Sequence, residues 1–401
     1  MNGSVPQIPG VKAEERLARD FRREVANLLN RNNVGFPGAQ PVSFARHHLD
    51  ELCRRDYFLC EKTDGIRCLL YCTQDQRNQE IHYLIDRKND YYFLQGASPP
   101  KFLHFPHHED PSFQRFHTET LLDGELVLDF VKGAPKPVLR YLVFDCLLFD
   151  GEILMQKPLD KRLARFREFI HRPLRTMLHK FPEERQHQLF EVVFKEMDKP
   201  YALENMFNIK LPSLPHGNDG LVFTCKDTPY VFGTDEHILK WKPAHENSID
   251  FKLRLGTFPI LQDEEGPYED FEAMPDFTLL VYHGDNRYEP FAPLYITDED
   301  WQIMKRLGQV LDGRIIECYR DEEGRWQFKK EHDGSPRFRD DKLEANHIST
   351  VNKVLQSISD AVSQEDLIAA APAIMRAWKA RHPEEEEAKR RHAQARPPNG
   401  H

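Results

Sequence analysis

The sequence predicts an α+β protein: a larger mixed domain followed by a small β-barrel domain. Three observations predict it. From Tyr57 to Val281 the chain is mainly short apolar runs with β-branched and aromatic content, divided by turn residues, which read as strands. Two amphipathic stripes at helical spacing, one before these runs and one among them, add helices. After Pro243 the pattern breaks and resumes as roughly five short strands and one helix, a content that suits a small barrel such as an OB-fold.

In chain order, Leu17, Phe21, Val25, Leu28 and Leu29 share one helical face, and "NRNNVGFPG" stops that helix. Strands follow in "YFLC", "CLLYC", "IHYLID", "ELVLD", "RYLVFDCLLF", "GLVFT" and "HILKWK". Between them "LDKRLARFREFIHRPLRTML" is a helix with Leu159, Leu163, Phe166 and Ile170 on one stripe. The distal strands are "IDFKLRL", "FTLLVYH", "RIIECYR" and "RWQFKK". Thr297, with Asp300 three residues on, opens the distal helix as a capping box. From Asn346 the helical spacing of Val351, Val354, Leu355, Ile358 and Val362 returns, and Pro372 is expected to end or kink the segment. The charged tail from Pro383 has no apolar content and is expected to be disordered. Its "KRRHAQAR" reads as a solvated charge run, with a nuclear-import patch as the alternative. The predicted boundaries are 1–245 for the first domain, completed by a C-terminal helix over 346–381, then 246–345 for the barrel and 382–401 for the tail.

Composition narrows the function. The chain has 401 residues, 40% hydrophobic and 30% charged, in the ordinary globular range. No run approaches the roughly 18 apolar residues of a membrane helix, and Met1–Glu14 lacks a secretory core, so no membrane role and an intracellular setting are expected. Seven cysteines with no C-x-x-C pair suit neither a disulfide framework nor a zinc ribbon, and are expected to be reduced and structural. A formal charge of −10 argues against capture of nucleic acid by bulk electrostatics. Any polynucleotide contact is expected to be local or delivered by a partner.

The strongest chemical signal is "EKTDGIR", which sets Lys62 after a strand, then an Asp64-Gly65 turn, then Arg67. A lysine nucleophile must shed a proton that it ordinarily holds to about pH 10.4. Neighbouring cations favour that loss; Arg67 is one candidate, and Lys240 and Lys242 in "LKWKP" share a strand face by alternation. Alone, the pattern equally describes a strand ending in an ordinary turn with a surface lysine. Two further Asp-Gly turns bring Glu125 and Asp219 to strand edges, where carboxylates can hold a divalent metal beside phosphates. The histidines of "HFPHHEDPSFQRFH" (His104, His107, His108, His117) read as a polar loop and not a metal site, because no second ligand set has familiar spacing.

Taken together and in this order, "EKTDGIR", "DGEL", "RYLVFD", "DGLVF", "LKWKP" and "FRDDKLEANH" resemble the motifs of the covalent nucleotidyltransferase superfamily of capping enzymes and polynucleotide ligases. The resemblance spans Phe36 to His347. "FPGAQPVSF", "YLIDRKNDYYF", the Trp and Pro of "LKWKP", and "RDDKLEANHIST" look like mRNA capping enzyme guanylyltransferases, especially the fungal-type alpha subunit. An ATP-dependent ligase more typically has Glu-Gly where Asp219-Gly220 stands. The stretch Lys329 to Pro336, "KKEHDGSP", departs from the pattern as an insertion.

This resemblance implies an ATP-grasp-like nucleotidyltransferase domain of the ligase and capping type, plus an OB-fold. It implies that Lys62 attacks the α-phosphorus of GTP and carries GMP, with Mg²⁺ or Mn²⁺ required and held by Asp219 and Glu125. Arg67 and Glu125 would contact the ribose, Phe144 would stack on guanine, and Arg87 and Lys242 would hold phosphate. Lys240 would sit near the base or α-phosphate, while Arg339 and Lys342 would reach the β- and γ-phosphates. Without the family, Phe144 reads as core, and Arg87, Arg339 and Lys342 as solvated charges. The implied acceptor is 5′-diphosphate RNA. Because no H-C-x-x-G-x-x-R phosphatase loop occurs, a separate RNA 5′-triphosphatase subunit is expected. Delivery by the phosphorylated C-terminal tail of RNA polymerase II and a nuclear location complete the expectation. The alternatives are an ATP-dependent polynucleotide ligase and a non-catalytic RNA- or polymerase-binding scaffold of the same fold.

Overall fold

The computed structural model describes residues 6–94, 101–131, 133, 135–243, 246–263, 266–321, 323–384, 387 and 391. Most of the tail expected to be disordered, with its basic patch, lies outside them. The chain forms two compact units: Met1–Ser43 with His47–Trp241 and Glu365–His401, and Phe44–Arg46 with Lys242–Gln364.

The strands of the first unit are β1 (Val11–Lys12), β2 (Ala39–Ser43), β3 (Tyr57–Thr63), β4 (Ile66–Gln74), β5 (Glu80–Asp86), β6 (Tyr91–Phe93), β7 (Thr120–Asp129), β8 (Val138–Phe149), β9 (Glu152–Ile153), β10 (Glu191–Phe194), β11 (Asn218–Cys225) and β12 (Gly233–Trp241). One sheet runs β1-β6-β5-β4-β7-β8-β10 with β9 beside β8, and a second runs β2-β12-β11-β3. Pro41 has no N–H to donate, and its strand β2 stands at a sheet edge, where that is tolerated.

The larger sheet is buried on both faces, which explains its nearly unbroken apolar runs. Along β4, Cys68, Leu70 and Cys72 enter one core with Phe166, Ile170 and Leu174, while Leu69 and Tyr71 enter another with Val25 and Leu29. Strand alternation divides the residues between these cores. The N-terminal helix is Glu15–Leu28, but Leu17 is exposed; Ala18, Val25 and Ala26 are its buried residues. The second helix has the expected stripe, with Leu159, Leu163, Phe166 and Ile170 all buried. It is interrupted by a wide π turn over Phe166–His171 before resuming as Arg172–Lys180. Pro173 has no N–H for the carbonyl of Phe169, so regular α-helical bonding fails there.

The histidine-bearing loop is pinned to β5 by Glu80. Its carboxylate accepts from the Phe105 backbone at 2.8 Å and from His104 at 2.5 Å, with His82 3.0 Å away. Burial opposes the Glu80 charge, but His82 and His104 outweigh it and bring its pKa down to about 2. Burial likewise opposes charge on His104, and Glu80 reverses this and raises the imidazole above its ordinary value.

In the second unit, β13 (Ser248–Leu255), β14 (Ile260–Asp263), β15 (Gly266–Glu269), β16 (Phe277–Tyr282), β17 (Tyr288–Pro293), β18 (Ile315–Arg320) and β19 (Trp326–Phe328) surround the core of Phe251, Leu279, Trp301, Ile316 and Trp326. Five of them form an open sheet, β17-β16-β13-β18-β19, and β14 with β15 forms a separate hairpin. The closed barrel expected from the strand count is therefore not formed. With three residues, β19 is too short for a second full ladder, and a bridge between Leu294 and Trp326 links it to the end of β17. The capping box is present: Thr297 Oγ accepts from Asp300 N at 3.2 Å, and Asp300 accepts from Thr297 N at 3.2 Å.

The helix expected over 346–381 is two helices. Ile348–Ser359 packs Val351 into the core of the second unit. Gln364–Arg381 passes through Pro372 without ending there. Leu367, Ala371, Ile374 and Trp378 of that helix are buried, enough to offset a lost backbone bond, and Arg381 binds Asp56 of the first unit at 2.9 Å. All seven cysteines are free, and six are buried. Among the described residues, no helix is long and apolar enough to cross a membrane.

The Glu80 and His104 shifts have opposite consequences for stability. The Glu80 contribution is present above its unfolded value of 4.5 and is lost as pH falls toward 2, whereas that of His104 is present below 6.5 and is lost as pH rises through its higher folded value. Urea titrations of wild type from pH 2 to 8 are expected to show both losses, and Glu80→Gln is expected to flatten them.

Candidate functional site

The two sheets of the first unit enclose a cavity lined by Lys62, Thr63, Arg67, Arg87, Asp123, Glu125, Phe144, Lys195, Val222 and Tyr230, among others. Two β-bulges shape it. Across from β3, Asn218 pairs with Thr63 and Leu221 with Glu61, so Asp219 and Gly220 together face Lys62 alone. Gly220 has φ +144, a backbone region that favours glycine. The extra residue turns Asp219 toward the lysine, and Lys62 Nζ donates to Asp219 Oδ1 at 2.7 Å. On the other sheet, Asp123 pairs with Asp145 and Gly124 with Val143, which leaves Phe144 without an opposite residue. Leu142 pairs with Glu125 on the cavity face, so alternation already puts the half-buried Phe144 ring on that face, and the bulge lets Asp145 share it.

The Asp64-Gly65 turn joins β3 to β4 tightly against β7. A Cβ on residue 65 would lie 2.3 Å from the carbonyl of Leu126, so only glycine permits this approach. Glu125 pairs across the ladder with Arg67. Its carboxylate accepts from the Thr63 hydroxyl, and Thr63 Oγ in turn accepts from Lys195 Nζ at 2.9 Å.

Arg67 is more committed than its sequence suggested. Its Nε and Nη2 donate to the two oxygens of Asp123 at 3.0 and 2.6 Å, and Nη2 also donates to Tyr230 Oη at 3.3 Å. Tyr230 donates to Asp123 at 2.6 Å and accepts from Ala39 N at 2.9 Å. Burial opposes the Arg67 charge, yet Asp123 outweighs it and raises the guanidinium above its ordinary range. The guanidinium carbon lies 5.7 Å from the Phe144 ring centroid, a cation against an aromatic face. Arg87 lines the same cavity from the turn after β5; desolvation and then Arg67 lower its pKa.

Other expected residues are distributed differently. Lys240 pairs with Val222, and therefore shares the cavity-facing side of that sheet. Lys242 does not share a strand with it, since β12 ends at Trp241 and Lys242 belongs to the second unit. Arg339 and Lys342 also belong to the second unit. Arg339 donates to Asp250 at 3.3 Å and to Asp341 at 3.0 Å, and Lys342 donates to Asp250 as well. The Lys329–Pro336 stretch, expected from the sequence to be an insertion, is a hairpin closed by a bridge between Lys330 and Pro336.

Three contributors escaped sequence reasoning. Asp123 was readable, since alternation along β7 puts it on the face of Glu125. Lys195 gave a faint signal, a lysine directly after the apolar run "EVVF". It is buried, 3.5 Å from Glu61, and its Nζ lies 6.0 Å from the Phe144 centroid. Burial opposes its charge, but Cys60, Glu61 and Glu125 outweigh this and raise the amine above the ordinary lysine range. Tyr230 gave none. The histidine loop, read from sequence as merely polar, brings His107, His108 and His117 together with Asp150, while His104 is held apart on Glu80.

An aromatic face ringed by cations suits a base and its phosphates, and an amine within the same cavity suits their transfer: the class is that of nucleotidyltransferases. The family model for the mRNA capping enzyme catalytic domain matches residues 4–244, and that for the mRNA capping enzyme C-terminal domain matches residues 246–368. The mRNA-capping enzyme subunit alpha of Neurospora crassa is 49% identical, over 93% of this chain and 93% of that protein. The protein of the same name from Schizosaccharomyces pombe is 46% identical, over 92% and 88%. Among solved structures, the ATP-dependent DNA ligase from bacteriophage T7 in complex with ATP covers 75% of this chain and 96% of that chain, at 16% identity and a TM-score of 0.33, too loose a likeness to carry weight. The chain belongs to the mRNA capping enzyme family.

The buried Arg67–Asp123 pair makes this cavity sensitive to charge removal. Asp123→Ala leaves a buried guanidinium without its carboxylate, and is expected to destabilise the protein by about 3–5 kcal/mol in urea denaturation.

Proposed function

We propose that this chain is an mRNA guanylyltransferase that carries GMP on Lys62. The observation that carries the reading is the Lys62 amine, held 2.7 Å from Asp219 in a cavity that also presents the Phe144 ring. In the first step a Lys62 nitrogen–phosphorus bond forms at the α-phosphate of GTP, and the bond to the β-phosphate oxygen breaks to release pyrophosphate. The amine must give up a proton, and Asp219 is the carboxylate within hydrogen-bond reach to take it. In the second step a terminal phosphate oxygen of 5′-diphosphate RNA attacks the same phosphorus. The nitrogen–phosphorus bond breaks, and the GpppN end leaves with Lys62 restored.

Base choice follows from donor and acceptor chemistry. A base lying on Phe144 would have its edge near Lys195, and an ammonium only donates. Guanine offers a carbonyl acceptor at C6, whereas adenine offers an amino donor there. Arg87 and Lys240 are the cations for phosphate in the first unit, with Glu125 and Arg67 toward the ribose. Lys242, Arg339 and Lys342 are assigned to phosphate from the second unit. For the last two this requires exchanging Asp250 for phosphate oxygens. Asp219 and Glu125 are the acidic oxygen donors suited to Mg²⁺ or Mn²⁺, which would neutralise phosphate charge when bound.

The relatives' designation as a subunit alpha supports a partner subunit, and we assign to it the RNA 5′-triphosphatase activity. An acidic chain acting on RNA is best supplied by a carrier, for which the phosphorylated tail of RNA polymerase II fits. That places its work in the nucleus.

Incubation with GTP and Mg²⁺ is expected to add one GMP to wild type by mass spectrometry and none to Lys62→Ala. Retention of label from ATP but not GTP would sink the guanylyl assignment in favour of a ligase. Lys195→Met is expected to reduce the GTP-over-ATP preference of adduct formation by roughly 10- to 100-fold, the worth of one charge-assisted hydrogen bond.

A further inference from the structure

A second cluster of chemically able side chains lies outside the nucleotide cavity, in the first unit. One ligand atom each from His107, His108, His117 and Asp150 lie within 4.8 Å of one another.

The hydrogen bonds of His117 fix its tautomer. This ring is fully buried, and its Nε2 lies 2.9 Å from the carbonyl oxygen of Phe169. A carbonyl only accepts, so Nε2 carries a proton, and Nδ1 of the neutral ring presents a lone pair. That lone pair faces the Asp150 carboxylate, 2.8 Å from one oxygen and 3.0 Å from the other. Two acceptors at this separation repel unless they share a positive charge. The carbonyl is available because Pro173, four residues on, has no N–H for it. A histidine that donates one ring nitrogen to a backbone carbonyl while its other nitrogen faces the ligand set is the arrangement that orients metal-binding imidazoles.

The other two rings complete the set. His107 Nε2 lies 3.6 Å from the same Asp150 oxygen. His108 Nδ1 is buried without a hydrogen-bond partner among the described residues. The His107 and His108 rings stack at 4.5 Å, and those of His107 and His117 at 4.9 Å, which gathers three imidazoles beside one carboxylate.

We propose that His107, His108, His117 and Asp150 bind a divalent metal ion of the zinc type. Three imidazole nitrogens and one carboxylate oxygen make a four-coordinate set that suits zinc and not magnesium. The ion is structural. It ties the 101–118 loop to the turn after β8 and, through Phe169, to the Leu159–Lys180 helical segment.

The test uses the full, untagged chain, stripped with chelator and dialysed. Titrated with Zn²⁺ alone, wild type is expected to retain one equivalent through gel filtration and to gain melting temperature. Co²⁺ alone is expected to give the visible bands of a tetrahedral nitrogen–oxygen site. Asp219→Ala, altered in the nucleotide cavity, is expected to retain the zinc, which separates this site from the metal of the transfer reaction. His108→Ala and Asp150→Asn are each expected to weaken zinc binding by roughly 10- to 100-fold or more, while still forming the Lys62–GMP adduct. That readout also shows both variants folded. Absence of stoichiometric zinc in wild type would overturn the proposal and leave His117 as an imidazolium paired with Asp150. Undiminished binding in both variants would overturn it too.

Discussion

The Lys62–Asp219 contact is the constraint on which the site depends. A strand in a regular ladder presents each side chain at a fixed pitch, and a lysine on it faces whatever the register puts opposite. Here the neighbouring strand carries one residue too many, and the surplus turns a carboxylate onto the amine. The same device on the second sheet lets Phe144 and Asp145, neighbours in the chain, both line the cavity. Both irregularities sit inside long, well-paired strands. The rigid ladders on either side hold the bulges in place, so the reactive groups are positioned by backbone and not by flexible loops.

Charge in the cavity is handled in layers. Arg67 is neutralised by Asp123, and Lys195 lies near Glu61 and Glu125 through contacts that are themselves buried. Such pairs contribute little net stability, because desolvation cancels much of their attraction, but each partner is costly to leave alone. Their value lies in fixed geometry. A guanidinium held on two oxygens cannot swing away when a nucleotide arrives, and the neighbouring Phe144 face stays in register with it. The acidic character of the whole chain is compatible with this, since the cavity lining still includes Lys62, Arg67, Arg87 and Lys195.

The second unit follows a different logic. Its open sheet is completed by a capped helix and by Ile348–Ser359, which fill the core that a closed barrel would otherwise enclose. Its basic residues Arg339 and Lys342 are both held on Asp250, which orders them.

Local chemistry was enough to establish the lysine motif, the Asp-Gly turns, the capping box and most strands, because turns, caps and alternation depend on neighbours in the chain. Lys62, Arg67, Glu125 and Phe144 could be named from their motifs, and Asp123 was within reach by the same alternation. What the tertiary structure decided was everything that depends on pairing across distance. A bulge is a mismatch between two strands 157 residues apart at Lys62 and Asp219, and neither strand alone reveals it. Lys195, just past β10, and Tyr230, in the connection between β11 and β12, join the cavity through tertiary placement and not through any pattern of their own. Lys242 left the strand of Lys240, the C-terminal helix divided between two cores, and the barrel stayed open, because strand length and packing settle where an element ends. The three histidines needed Asp150 from another turn, and a carbonyl whose usual donor a proline lacks, before their convergence was visible.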